Sequence, residues 1–302
     1  MDGDIDYSKY GRAELLDALS SIDRNLWPRN YANLTRELAS RPPLADAPAA
    51  APARARGSDA LKSGNPALSA STFDGLAASD DPMTLAGTLN KTAMLLALVL
   101  AGAGWVWNVY FTSRQLADIG PLVLLGSLAG LALGIVTIFN KRLAGYLAPA
   151  YAALEGLAVG GISALYESHH PGIAIQAIGL TFGILLTMLV VYRTGLIKVT
   201  ARLQAGVVGA TGGIALLYLA DLVLMYFGHP VTLIHEGGPW GIAFSLFVIC
   251  IAALNLVMDF DFIAKGVAQR APKYMEWYAA FGLIVTLVWL YLEILRLLGR
   301  RR

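Results

Sequence analysis

The chain has 302 residues, of which 56% are hydrophobic and only 15% charged, with a net charge of +2. Soluble domains carry about 25% charged residues, so the deficit points to a membrane protein, and so small a net charge does not suggest a nucleic-acid partner. The single cysteine, Cys250, sits in an apolar run, which excludes an intrachain disulfide and a thiolate metal cluster.

The charge deficit begins after residue 64. The opening "MDGDIDYSKY" lacks the basic start and apolar core of a cleaved signal peptide, so the first span is expected to act as its own insertion signal. In "GRAELLDALSSID", Leu15, Leu16, Leu19 and Ile22 recur at helical spacing. Gly11 can cap this helix, with Glu14 three residues on. Pro28 suits the first turn of a second helix, on which Tyr31, Leu34 and Leu38 share a face. Residues 1–40 therefore read as a small cytoplasmic helical hairpin, at the lower limit for independent folding and suited to docking on something larger. Residues 41–64, rich in proline and alanine, read as a flexible linker. Residues 65–90 form a polar lead-in.

From there, long apolar runs alternate with short polar breaks. Seven stretches reach the roughly 20 residues that a membrane crossing needs: 92–112, 119–139, 145–167, 172–192, 203–227, 238–263 and 275–298. The predicted fold is all-α, a seven-helix membrane bundle behind the hairpin. Pro149 is expected to kink the third span if it lies beyond the first turn. Gly126, Gly130 and Gly134, Gly156 and Gly160, and Gly209 and Gly213 fall four apart, a spacing that lets helices approach closely in lipid.

Lysine and arginine set the expected orientation. Lys141 and Arg142 follow span two, Arg193, Lys198 and Arg202 follow span four, and Lys265, Arg270 and Lys273 follow span six. The alternate breaks hold Arg114 alone, so the basic breaks and the N-terminus with Lys91 are expected in the cytoplasm. Seven spans would then put the C-terminal "GRRR" outside, against the rule. Either the stronger earlier loops overrule it or one late segment falls short of crossing.

Ionisable residues inside a span are costly and mark functional sites by default. Glu155 lies near the middle of span three, Asp221 towards the outer end of span five, and Asp259 and Asp261 at the end of span six. Glu276 and Glu293 stand near the two ends of span seven. Residues two apart on a helix point about 200° apart, so Asp259 and Asp261 cannot face one cavity. Asp261 and Lys265 have the (i, i+4) spacing of an ion pair, acid first. Asp259 shares a face with Asn255 and is the stronger site candidate. A plain cap on the span's inner end stays open for it, since Gly241–Met258 already makes about 27 Å of uncharged helix.

His169, His170, His229 and His235 fall in the outer breaks, and "HEGGP" lacks the second histidine of a zinc protease motif. They read as ordinary loop histidines. No phosphate loop, nucleophile elbow or redox motif is present, so neither an enzyme nor a resident cofactor is expected.

"NPALSASTF", "APAYAALEGLAVGGISALYE", "PGIAIQAIGLTF", "GLIKVTARL" and "AALNLVMDFDFIAKGVAQRAPKYMEWYAAFGLIVTLVWLYLEILRLLG" resemble the bacterial branch of the Bax inhibitor-1, or transmembrane Bax inhibitor motif, family over about residues 65–299. "YSKYGRAELLDALSSIDRNLWP" is similar to a short module appended to various proteobacterial membrane proteins. The resemblance implies a bacterial inner-membrane protein whose last helix lies near the bundle centre. It further implies, for some members, a pH-sensitive calcium leak gated by one aspartate on helix six, another on helix seven and a basic residue after helix two. Asp259 falls at the helix-six aspartate, with Asp261 two places later, and Lys141 and Arg142 fall in the basic region. Thr286 stands about where the helix-seven aspartate is expected, a departure from the pattern. Glu155, Asp221 and Glu276 are the candidate substitutes.

Two functional readings follow. One is a pH-gated leak for calcium or another cation, with lipid, calcium and protons as its partners. The other is a non-transporting regulator that binds a membrane protease or other protein through residues 1–64.

Overall fold

The structure, a computed structural model, describes residues 15, 18, 19, 22, 27–40, 80–229, 231 and 238–301. The chain divides into two compact units, residues 1–57 and 58–302. In the first, helix α1 (Pro28–Ser40) buries Leu34 completely, and Leu34 and Leu15 form a small core with Ala18, Leu19, Ile22 and Leu38 around it. Of the apolar positions that the helical spacing singles out, Leu15, Leu19, Ile22, Leu34 and Leu38 fall in this core, Tyr31 is not part of it, and Leu16 lies outside the described residues. The cap at Gly11 with Glu14, and the linker at 41–64, lie outside the described residues.

The second unit contains α2 (Leu85–Ser113), α3 (Leu116–Phe139), α4 (Ala144–His169), α5 (Ile173–Arg193), α6 (Ala201–Tyr226), α7 (Pro239–Ala268) and α8 (Met275–Arg300). All seven are long and apolar enough to cross a membrane, so this is an all-helical, multi-pass membrane protein. A single 3-10 turn, Lys141–Leu143, joins α3 to α4. Pro149 lies beyond the first turn of α4, and the helix continues through it to His169.

α2 begins well ahead of the expected residue 92. Thr84 caps it by accepting the Gly87 N–H. The hydroxyls of Thr88 and Thr92 donate to carbonyls four residues back, at 2.9 and 3.0 Å. Polar side chains satisfied in this way do not interrupt a helix, so it extends into the polar lead-in.

α8 is the hub. It packs on α2, α4, α5 and α7, and 67% of its apolar stretch is buried, against 22% for α3 and 17% for α6. This is the central last helix that the family resemblance implies. α7 is the second inner helix and leans on α8, α5, α6 and α2.

Glycines bring α2, α3 and α4 together. A Cβ on Gly160 would stand 2.5 Å from the Ala103 backbone of α2, and one on Gly126 2.5 Å from the Leu154 carbonyl of α4. Gly156 likewise lies against Val99 of α2. Gly209 and Gly213 behave differently from their spacing: a Cβ at either meets nothing within 4 Å. They lie on the exposed side of α6, whose buried side is Gln204, Val207, Ile214 and Asp221. Spacing alone does not distinguish a contact face from a lipid-facing one.

Glu276 forms a latch at one end of the bundle. Its carboxylate is completely buried and accepts the Thr84 N–H at 2.8 Å and the Thr84 hydroxyl at 2.9 Å. It is also paired with Lys91 of α2 and, at 3.1 Å, with Lys273. Lys91 stacks over Trp277, 5.5 Å from the ring centre. Gly87 leaves the space, since a Cβ there would overlap the carboxylate. Beside the latch the Met83 N–H donates to the Ala271 carbonyl at 2.7 Å, and Pro82 bridges to Pro272. The start of α2 is thus fastened to the α7–α8 connection.

At the other end, α8 runs its full 26 residues, about 39 Å, and finishes beside the start of α7. Arg300 donates to the Gly241 carbonyl and, at 2.9 Å, to the Ser245 hydroxyl. Arg296 pairs with Glu293 at 2.6 Å. Both late helices, α7 and α8, are long and apolar enough to cross, and two arginines near the end of α8 are turned into the protein.

Gly160→Leu is expected to destabilise the purified protein in detergent by about 1–3 kcal/mol through overpacking, whereas Gly209→Leu leaves thermal unfolding nearly unchanged. Equal effects at the two positions would contradict this packing. Glu276→Gln is expected to cost about 3 kcal/mol, because it leaves Lys91, 16% exposed, charged without its carboxylate. Lys273→Ala, at a lysine 44% exposed, is expected to cost under about 1 kcal/mol in the same unfolding measurement.

Candidate functional site

The middle of α7, Val248–Ile263, is buried on most of its circumference. Such a helix belongs to the interior of a bundle. Asp259 lies there with no exposed surface, and Asn255, one turn away, is 1% exposed. The Asn255 amide donates to Thr211 of α6 at 2.9 Å and to the Ile251 carbonyl at 3.0 Å. Its carbonyl oxygen is buried without a hydrogen-bond partner.

Asp261, two residues from Asp259, points elsewhere. It pairs with Lys265 at 2.6 Å. Helical geometry therefore separates the two aspartates as their spacing requires.

Distances along the helix axes discriminate among the polar residues of α8. Counted from the α7–α8 connection at 1.5 Å per residue, Asp259 lies about 14 Å deep and Asn255 about 20 Å. On α8, Glu276 lies only about 2 Å in, Thr286 about 17 Å and Glu293 about 27 Å. Thr286 is thus at the depth of Asp259 and Asn255. Its hydroxyl is buried and donates to the Gly282 carbonyl at 3.4 Å. Asp259, Thr286 and Asn255 thus lie at a similar depth on α7 and α8, with Thr211 of α6 bonded to Asn255, a polar layer defined by depth.

The candidate substitutes for a helix-seven aspartate lie elsewhere. Glu276 belongs to the latch. Asp221 is buried near the end of α6, where one carboxylate oxygen accepts the Val231 N–H at 2.8 Å, tying down the chain that leaves α6. Glu155 is half-buried on the side of α4 that meets α3, and its carboxylate lies 3.2 Å from where a Cβ on Gly130 would stand. Tyr151 lies one turn back on α4. α4 and α7 both pack on α8 rather than on each other.

Of the two basic candidates, Lys141 stands 6.0 Å from the Tyr278 ring of α8. Arg142, its neighbour in the 3-10 turn, is exposed.

A second ionic group was not legible as a unit in the sequence. Glu293, 1% exposed, accepts the Tyr218 hydroxyl of α6 at 2.6 Å and the Arg296 guanidinium at 2.6 Å. Arg296 also donates to the Tyr218 oxygen at 2.6 Å and covers its ring at 5.0 Å. Gln204, Thr211 and Tyr218 recur every seven residues on α6, and this heptad spacing is the one sequence signal that marks its buried polar seam. Among the described residues no group of three or more acidic, histidine or cysteine side chains is arranged to hold a metal ion.

Neither the curated proteins nor the solved structures compared with the chain include a match. The family described as Bax inhibitor 1 like matches residues 48–302, a longer stretch at both ends than the resemblance at 65–299. With seven membrane-spanning helices around a central last helix and most of its length matched, the chain belongs to the Bax inhibitor 1-like family.

Proposed function

We propose that the protein is a pH-sensitive cation leak, with calcium as the cation its family resemblance favours, and that Asp259 is its central ionisable group. One observation carries this reading: Asp259 is a completely buried carboxylate in the interior helix of a membrane bundle, where a charge is expensive and is retained for a task. Calcium takes oxygen ligands. The Asp259 carboxylate, the Asn255 carbonyl and the hydroxyls of Thr286 and Thr211 offer them within one layer. Protonation of Asp259 removes the only formal negative charge of that layer, which supplies a physical basis for pH sensitivity without a second aspartate. Lys141, Arg142 and Glu155 are assigned supporting electrostatic roles at most, and Asp221, Asp261 and Glu276 structural ones.

A second reading is a non-transporting regulator that captures a membrane protease or another protein through residues 1–64. The separate compactness of residues 1–57 favours it. The bacterial inner membrane, with the basic connections in the cytoplasm, is the setting proposed for both.

The two readings diverge in vesicles. Full-length protein reconstituted in liposomes with an entrapped calcium indicator is expected to pass calcium at a rate that changes with pH. Asp259→Asn is expected to flatten that dependence, while Asp261→Asn retains it. Absence of flux at every pH favours the regulator, and a pH profile unchanged by Asp259→Asn removes Asp259 from the mechanism.

A further inference from the structure

A cavity of about 400 Å³ lies among α2, α4, α5 and α8. Its floor includes Val159, Ile284 and Val288, all buried, and its rim includes Leu100, Ile175 and Phe182, all exposed. The rim residues belong to α2 and α5, which flank the cavity and each pack on α4 and α8. The opening therefore lies between two lipid-facing helices and gives sideways onto the bilayer.

The cavity is amphipathic along its length. Its polar atoms gather where α4 ends. Ser163 donates to the Val159 carbonyl at 2.6 Å, which leaves the Tyr291 hydroxyl to donate to Ser163 at 2.7 Å. Glu167 accepts the N–H groups of Gly172 and Ala174 at 2.6 and 3.0 Å. The remainder, towards Leu96, is lined almost wholly by carbon. A void of that kind offers water too few partners to hold it. Along α2 the lining runs from Leu96 to Trp107, about 16 Å. That is close to half of a hydrocarbon core about 30 Å thick, the reach of a chain from one leaflet.

We propose that this cavity is a binding site for one acyl chain of a bilayer phospholipid. The chain enters between α2 and α5, its methyl end lies towards Leu96, and its ester end lies beside Ser163 and Tyr291. The Glu167 carboxylate at the polar end opposes a free fatty acid, whose own carboxylate would lie next to a like charge. The site is independent of the cation reading, because none of its lining residues belongs to the Asp259 layer.

Gly104 provides the test. It lines the cavity, and a Cβ there meets nothing within 4 Å, so a larger side chain can fill the space without displacing backbone. The full-length protein is reconstituted in phosphatidylcholine vesicles doped with phosphatidylcholine that carries a diazirine in mid-chain, irradiated, and mapped by peptide mass. Label is expected on the buried Ile284, Leu287 and Val288 of α8, which bulk lipid does not reach. Gly104→Phe and Gly104→Leu are expected to lower it by about tenfold, with label on the exposed Leu128 and Leu131 of α3 unchanged as the measure of an intact fold. No label on α8 in the native chain, or equal α8 label in a variant whose α3 label is intact, overturns the proposal. Stronger α8 labelling by a diazirine fatty acid than by the phospholipid overturns the assigned lipid class.

Discussion

Burying one leucine against another gains little in a bilayer, because hydrocarbon already surrounds both. What remains to hold this bundle is close backbone contact and the pairing of polar groups that lipid cannot satisfy. The described structure follows that division. Gly126, Gly156 and Gly160 let α2, α3 and α4 meet at backbone distance, while α8 is held at its two ends by buried charge, Glu276 at one and Glu293 with Arg296 at the other. Between those ends α8 is nearly continuous apolar core, and its polar side chains there are hydroxyls such as Thr286 and Tyr291.

This arrangement gives the charges of the inner helices different standing. Glu276, Glu293 and Asp261 each have a cation within ion-pair reach, so each has a structural task. Asp259 is as fully buried as Glu276 and stands one turn from Asn255 on α7. A buried pair secures geometry, and removing one partner is costly because the other is stranded. The two terminal clusters therefore hold the bundle, and the switching role proposed for Asp259 falls on a residue outside them.

The sequence makes some of this visible and conceals the rest for physical reasons. The seven spans are legible because lipid imposes length and apolarity directly on the chain. Asp261 with Lys265 is legible because both lie on one helix four residues apart. The latch is not, because Thr84 and Glu276 are separated by 192 positions and only the assembled bundle brings them together. The Tyr218–Glu293–Arg296 group is hidden in the same way, apart from the heptad spacing on α6. Gly209 and Gly213 show the converse. Their spacing is that of a packing face, yet in this chain the face is exposed, because the sequence records which surfaces can approach closely and not which ones do.

The hub helix also follows the other six spans along the chain. Chains fold from the N-terminus as synthesis proceeds, and α2, α3 and α4 can join through their glycines as soon as they have been inserted. The helix that supplies most of the core, and the carboxylate that fastens α2 to the α7–α8 connection, arrive only after the other six spans. Until then the other six spans lack their central helix. Truncation near the C-terminus would therefore cost far more than its few residues suggest, because it removes the element around which the earlier ones close.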